Sequence, residues 1–91
     1  MNIMKAKNGF VMRTVVDEHI IMPTDDNINR FNGSVVLNDV SAFVWEKLEQ
    51  ETTREVILEA LLNEFDVPQA VAEKDLDALL NRFCEYGLIE E

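Results

Sequence analysis

Apolar and polar residues alternate along two short stretches near the start of the chain. Residues 10–16 and 19–22 are rich in β-branched and apolar side chains, and Asp17-Glu18 lies between them. This alternation predicts a β-hairpin whose second strand ends at Pro23, which has no backbone donor. The face expected to pack on the core consists of Phe10, Met12, Thr14 and Val16.

A third strand is predicted after a polar segment. Residues 24–33 contain three Asn and two Asp and are typical of a loop, with Gly33 marking the turn at its end. The short apolar run of Ser34, Val35, Val36 and Leu37 follows. In a three-stranded antiparallel meander this strand would lie at the edge of the sheet.

The rest of the chain contains three amphipathic stretches, which predict helices over residues 39–49, 53–65 and 69–86. The apolar positions recur at helical spacing in each of them. In the first helix one stripe consists of Val40, Phe43, Val44 and Leu48, with Trp45 beside it. The apolar positions of the second are Val56, Ile57, Ala60, Leu61 and Phe65. The buried stripe expected for the third is Ala72, Leu76, Leu79, Leu80 and Phe83.

Capping signals support the ends of these helices. The residues expected to cap the three starts are Asn38 or Asp39, Thr52 with Glu55 in a capping box, and Asp66 ahead of Pro68. Gly87 is placed to end the third helix in the left-handed conformation, with Leu88 folding back as its hydrophobic contact. The sequence therefore predicts an α+β fold, winged helix-turn-helix-like, with a three-stranded antiparallel sheet followed by three helices.

Length and charge narrow the possible functions. The 91 residues are enough for a single domain, 1–91, with one modest core. The net charge is −10, and all of it falls on residues 34–91, because residues 1–33 carry four basic and four acidic side chains. Residues 69–91 contain two basic and six acidic side chains, whereas a DNA-reading helix would be basic. The charge therefore argues against nucleic acid and against anionic membranes as partners.

The residues that could perform chemistry are few. His19 is the only histidine, and it is expected to be an ordinary exposed residue on a strand. Cys84 is the only cysteine, so no intramolecular disulfide is possible, and a half-buried structural thiol is expected near the end of the third helix. No catalytic residue, cofactor site or metal site is predicted. With no apolar span and no signal-peptide pattern after Met1, a cytoplasmic location is expected.

The chain resembles the PqqD-like family over residues 8–90. The segments that carry the resemblance are Phe10-Val11-Met12-Arg13-Thr14-Val15, Ile20-Ile21-Met22-Pro23, Leu37-Asn38, Phe43-Val44-Trp45-Glu46-Lys47-Leu48, Thr52-Thr53-Arg54-Glu55, Glu64-Phe65-Asp66-Val67, Asp75-Leu76 and Gly87-Leu88-Ile89. The resemblance implies the fold of the RiPP recognition element, a three-stranded sheet packed on three helices. Such domains bind the leader segment of a ribosomally made precursor peptide and present it to a modifying enzyme, often a radical SAM enzyme.

The resemblance also implies where the peptide binds. The leader adds as a further strand to the third strand, in a groove walled by the third helix. Carried onto this chain, the implied peptide-binding residues are Ser34, Val35, Val36, Leu37, Asp75, Ala78, Leu79, Arg82 and Tyr86.

Three functions remain open on the sequence. The first is a non-catalytic peptide chaperone, a monomer or weak dimer, whose partners are a precursor leader peptide and a maturation enzyme such as a radical SAM protein. The second is a regulatory winged-helix protein that binds a protein or DNA. The third is a structural subunit bound stably to one enzyme. An exposed edge strand favours the first, because strand addition is its productive use.

Overall fold

A computed structural model describes residues 3–24 and 34–91. The predicted hairpin, third strand and three helices are confirmed, while the predicted turn at Gly33 lies outside the described residues. In chain order the elements are β1 (Ile3–Ala6), β2 (Phe10–Val15), β3 (Glu18–Pro23), β4 (Val35–Leu37), α1 (Asp39–Leu48), β5 (Thr52–Thr53), α2 (Arg54–Glu64), α3 (Gln69–Glu85) and β6 (Ile89–Glu90).

The larger sheet has the strand order β2-β3-β4, with every neighbouring pair antiparallel. Its inner face packs on the core through the fully buried Ile21 and the buried Leu37. Phe10 and Met12 also pack against the core, as the alternation predicts. Thr14 and Val16, predicted for the same face, are exposed: Val16 lies in the turn after β2, and Thr14 lies close to that end of the strand. The strand β4 lies at an edge of this sheet.

The turn of the hairpin contains a strained residue. Val16 has a φ of 56° and its side chain is 89% exposed. A β-branched residue in this left-handed region is unfavourable by about 1–2 kcal/mol, whereas asparagine tolerates the region. The exposed valine side chain makes little packing contact that would offset this cost.

We therefore expect Val16→Asn to stabilise the protein by about 1 kcal/mol. The measurement is chemical denaturation of the wild type and the variant. Val15→Asn is the matched control, since Val15 is also exposed but lies within β2, where asparagine is unfavourable. Equal midpoints for Val16→Asn and the wild type would show that the turn carries no strain.

A second sheet, of order β5-β1-β6, joins the two ends of the chain. Met4 pairs with Thr52, and Ala6 pairs with Ile89, both in antiparallel register. The backbone N–H of Lys7 also donates to the carbonyl of Leu88 over 2.9 Å. No element was predicted before residue 10, so this sheet is a finding of the structure.

The predicted starts of the helices are more accurate than the predicted capping residues. Asn38 caps α1 as predicted, since its side chain accepts a hydrogen bond from the Ser41 N–H over 2.8 Å. The capping box at Thr52 is wrong: Thr52 and Thr53 both lie in β5, α2 begins at Arg54, and Thr53 caps it by accepting from the Val56 N–H. The cap at Asp66 is also wrong, because Pro68 occupies the cap position of α3 without a side-chain hydrogen bond.

The end of α3 is a Schellman motif, as the sequence predicts. Gly87 has a φ of 73°, and its N–H donates to the carbonyl of Cys84. The Leu88 N–H donates to the carbonyl of Phe83 over 2.9 Å, and the Leu88 side chain is fully buried. This turn fixes β6 against β1 and so ties the C-terminal end of α3 to the start of the chain.

The core lies between the larger sheet and the three helices. Trp45 of α1 and Phe83 of α3 meet there edge to face, with ring centroids 5.6 Å apart and planes at 84°. Both rings are almost completely buried. The other fully buried large side chains are Ile21, Leu48, Ile57, Leu76, Leu88 and Val44.

Candidate functional site

The register of the larger sheet determines which backbone groups of β4 are available. Val15 and Glu18 flank the two-residue turn of the hairpin, and the Thr24 N–H donates to the Gly9 carbonyl over 2.7 Å at its other end. Hydrogen-bonded and non-hydrogen-bonded pairs alternate along an antiparallel ladder. Both observations give the same register for β3. The backbone N–H and C=O groups of Ile20 point to β2, while those of His19 and Ile21 point to β4.

The alternation carries across to the edge strand. Val35 pairs with Ile21, Val36 with Ile20, and Leu37 with His19. Val35 and Leu37 therefore direct their N–H and C=O groups inward to β3, while those of Val36 point away from the sheet. Among residues 3–24 and 34–91 no strand pairs with the other side of β4, which therefore presents the backbone donor and acceptor of Val36.

This edge opens onto a groove of about 520 Å³ between β4, the start of α1 and one face of α3. Buried apolar side chains, including Leu79 and the fully buried Phe83, form its base, and polar side chains surround it. Its lining residues are Ser34, Val35, Val36, Leu37, Asn38, Ser41, Leu79, Arg82, Phe83 and Tyr86. An open edge strand with an apolar base beside it is the geometry that binds an extended peptide.

A smaller recess of about 260 Å³ adjoins the groove at the end where α1 begins. Asp75 and Ala78 line this recess rather than the groove itself. Leu79 and Arg82 line both, so the two spaces share one wall of α3. Seven of the nine residues proposed from the sequence therefore line the groove, and the other two lie next to it.

Three residues that line the groove were not predicted from the sequence to bind the peptide. Asn38 and Ser41 belong to the first turn of α1, where Asn38 was recognised only as a helix cap. Phe83 was assigned to the core, and it is fully buried while also lining the base of the groove. A sequence signal existed for Phe83, since it lies four residues after Leu79 on the same helical face.

One protein family matches most of the chain. The family model of coenzyme PQQ synthesis protein D (PqqD) matches residues 18–89, which include the edge strand, α1, α2 and α3. The chain belongs to the PqqD family. Comparison with curated protein sequences found no match.

Two solved structures share the fold of this PqqD-family chain. One is TbiB1 in complex with the TbiA(beta) leader peptide, at 23% identity and a TM-score of 0.77, covering 94% of each chain. The other is lasso peptide synthetase B1 complexed with the leader peptide, at 18% identity and a TM-score of 0.76. That match covers 97% of this chain and 98% of the synthetase chain.

His19 is not the exposed strand histidine that the sequence predicts. Its side chain is 21% exposed, its Nε2 lies 2.9 Å from Asp39 Oδ1, and its Nδ1 lies 2.9 Å from Thr14 Oγ1. In the tautomer with the proton on Nε2, the ring donates to Asp39 and accepts from the Thr14 hydroxyl. Through its contact with Asp39, the histidine joins the hairpin to the first turn of α1, beside the edge strand.

Cys84 also differs from its prediction. The residue is exposed, whereas a half-buried thiol was expected. Partial burial of the sulfur and the nearby Glu91 carboxylate, whose Oε1 is 3.9 Å from Sγ, raise the pKa of the thiol. A raised pKa leaves little reactive thiolate near neutral pH. Within residues 3–24 and 34–91, no cluster of three or more histidine, cysteine or acidic side chains is arranged to hold a metal ion.

The described part of the PqqD-family chain contains no helix that is long and apolar enough to cross a membrane.

Proposed function

We propose that this PqqD-family protein captures the leader segment of a ribosomally made precursor peptide. The leader adds as a strand to the free edge of β4 and lies in the groove against α3. The main support for this proposal is that the N–H and C=O of Val36 point outward and face an open groove with a buried apolar base. Two solved proteins of the same fold that hold leader peptides support the proposal.

The protein acts as a non-catalytic carrier that presents the bound peptide to a maturation enzyme, such as a radical SAM protein. Its described residues offer binding groups around the groove: a backbone edge, an apolar base and the polar side chains of Ser34, Arg82 and Tyr86. The acidic character of α3 opposes binding to duplex DNA and so disfavours a winged-helix regulator that acts on DNA.

The expected affinity is modest. Each backbone hydrogen bond to an added strand contributes roughly 0.5–1.5 kcal/mol net, and apolar anchors over the base of the groove add to this. After the cost of ordering the peptide, a dissociation constant in the micromolar range, about −8 kcal/mol, is expected.

The test is calorimetric titration of the purified protein with a synthetic leader segment from a precursor gene beside its own gene. A micromolar complex is expected, with a scrambled peptide of the same composition as the control. A second assay measures modification of the precursor by the neighbouring maturation enzyme, with and without this protein. The absence of binding at millimolar peptide, for every short precursor encoded nearby, would contradict the proposal.

A further inference from the structure

The wall that α3 gives to the groove and the adjoining recess carries two opposite charges that have no ion-pair partner within the described residues. Asp75, Leu79, Arg82 and Tyr86 are spaced at helical intervals and so lie along one stripe of α3. Asp75 and Arg82 are exposed, and neither forms an ion pair in residues 3–24 and 34–91. Both are therefore available to a ligand.

Other charges on the same helix are arranged differently. Asp77 accepts hydrogen bonds from Arg54 of α2, with the shorter at 2.6 Å, and this bond lowers the pKa of the Asp77 carboxyl. Glu73 lies 3.8 Å from the same guanidinium. The face of α3 toward α2 is therefore paired within the protein, while the stripe toward the groove is not.

The two unpaired charges lie at different positions along α3. Arg82 lines both the recess and the groove, where it lies with Ser34, Val35 and Val36. Asp75 lines the recess beside Asn38, at the end where α1 begins. Leu79, which is buried, lies between them and lines both spaces.

The spacing of these side chains fits an extended peptide. Asp75 and Arg82 are seven positions apart in α3, which corresponds to about 10.5 Å along the helix axis. Side chains on one face of a strand recur every ~6.8 Å, so positions i and i+4 are about 13.6 Å apart. Long charged side chains cover the remaining difference, and position i+2 then lies over Leu79.

We propose that the groove selects peptides in which an apolar side chain is flanked, two positions away on either side, by one acidic and one basic residue. The acidic side chain pairs with Arg82, the apolar one packs on Leu79, and the basic one pairs with Asp75. This specificity rests on the proposed strand addition to β4. The order of the two charges in the peptide reports its direction along β4, since Arg82 and Asp75 lie at different positions along α3.

The experiment uses a random 12-residue peptide library displayed on phage and selected on the purified protein. Wild-type protein should enrich the acidic-apolar-basic pattern, in either order. The selected peptide should bind Arg82→Glu roughly tenfold more weakly, because attraction becomes repulsion, and a peptide with its acidic residue changed to lysine should restore the affinity.

Lys74→Glu is the matched control, since it makes the same change of charge on α3 but lies outside the lining of the groove. It should leave the affinity within about twofold, in keeping with the small effect of distant, screened surface charges. Circular dichroism of each variant verifies its fold.

The outcomes separate the two proposals. Enrichment of apolar peptides without the charge pattern, or equal losses for Arg82→Glu and Lys74→Glu, would overturn the charge selection and leave strand addition standing. If no peptide is enriched above background, the proposed peptide-binding function itself fails, and the charge selection fails with it.

Discussion

Val36→Pro should abolish most of the peptide binding while the protein remains folded. The Val36 N–H points away from β3, and its side chain is 61% exposed, so proline removes a donor to the peptide without removing a bond of the sheet. Leaving a peptide carbonyl unpaired costs about 2 kcal/mol, roughly a 30-fold loss of affinity. Calorimetric titration with the leader segment measures this loss, and circular dichroism verifies the fold.

Val35→Pro should give the opposite phenotype. The Val35 N–H bonds inward to β3 opposite Ile21, so proline breaks the ladder of a strand only three residues long. We expect the unfolding free energy to fall by about 1–3 kcal/mol. Val36→Thr, which keeps the N–H and the β-branched shape, should bind like the wild type. If Val36→Pro binds the peptide as tightly as Val36→Thr does, the peptide does not pair with this edge.

Phe83→Ala should cause the largest loss of stability. The ring is fully buried, packs edge to face on Trp45, and also forms part of the base of the groove. Removing a buried phenylalanine costs about 3–5 kcal/mol, a large fraction of the stability of a domain of this size. Trp45 is the only tryptophan, so its fluorescence reports unfolding in urea directly.

Phe43→Ala provides the comparison for the core variant. Phe43 makes a similar edge-to-face contact with Phe65, at 5.5 Å and 88°, but it is only partly buried. Its loss should cost about 1–2 kcal/mol, well below the cost at Phe83. Similar losses at the two positions would mean that Phe83 is not at the centre of the core.

The sequence predicted the elements whose signals are local. The buried stripe of α3 is confirmed residue by residue, because 17 helical residues give a long periodic pattern. The stripe of α2 is only partly confirmed, since Val56 is exposed and Leu58 is buried instead. In α1, Val40 is exposed and Ala42 is buried, so the buried face is rotated slightly from the predicted one.

The elements that were missed depend on contacts far apart in sequence. The strand β1 pairs with β5 and β6, each two residues long, and no local pattern identifies such partners. The same pairing holds both Thr52 and Thr53 in β5, so α2 begins only at Arg54 and its cap is Thr53.

The candidate groove could be proposed from the sequence only through the family resemblance. The edge position of β4 followed from the meander, but its hydrogen-bond register required the observed pairs with β3. The separation of Asp75 and Ala78 into the adjoining recess also required the position of α1 relative to α3.

Amide hydrogen exchange at β4, followed by NMR with and without the leader segment, tests strand addition most directly. Without peptide, the N–H groups of Val35 and Leu37 should already be protected by β3, while that of Val36 exchanges freely. Saturating peptide should protect Val36 and leave the rates at Val35 and Leu37 almost unchanged. Binding of the leader with no new protection at Val36 would contradict the account.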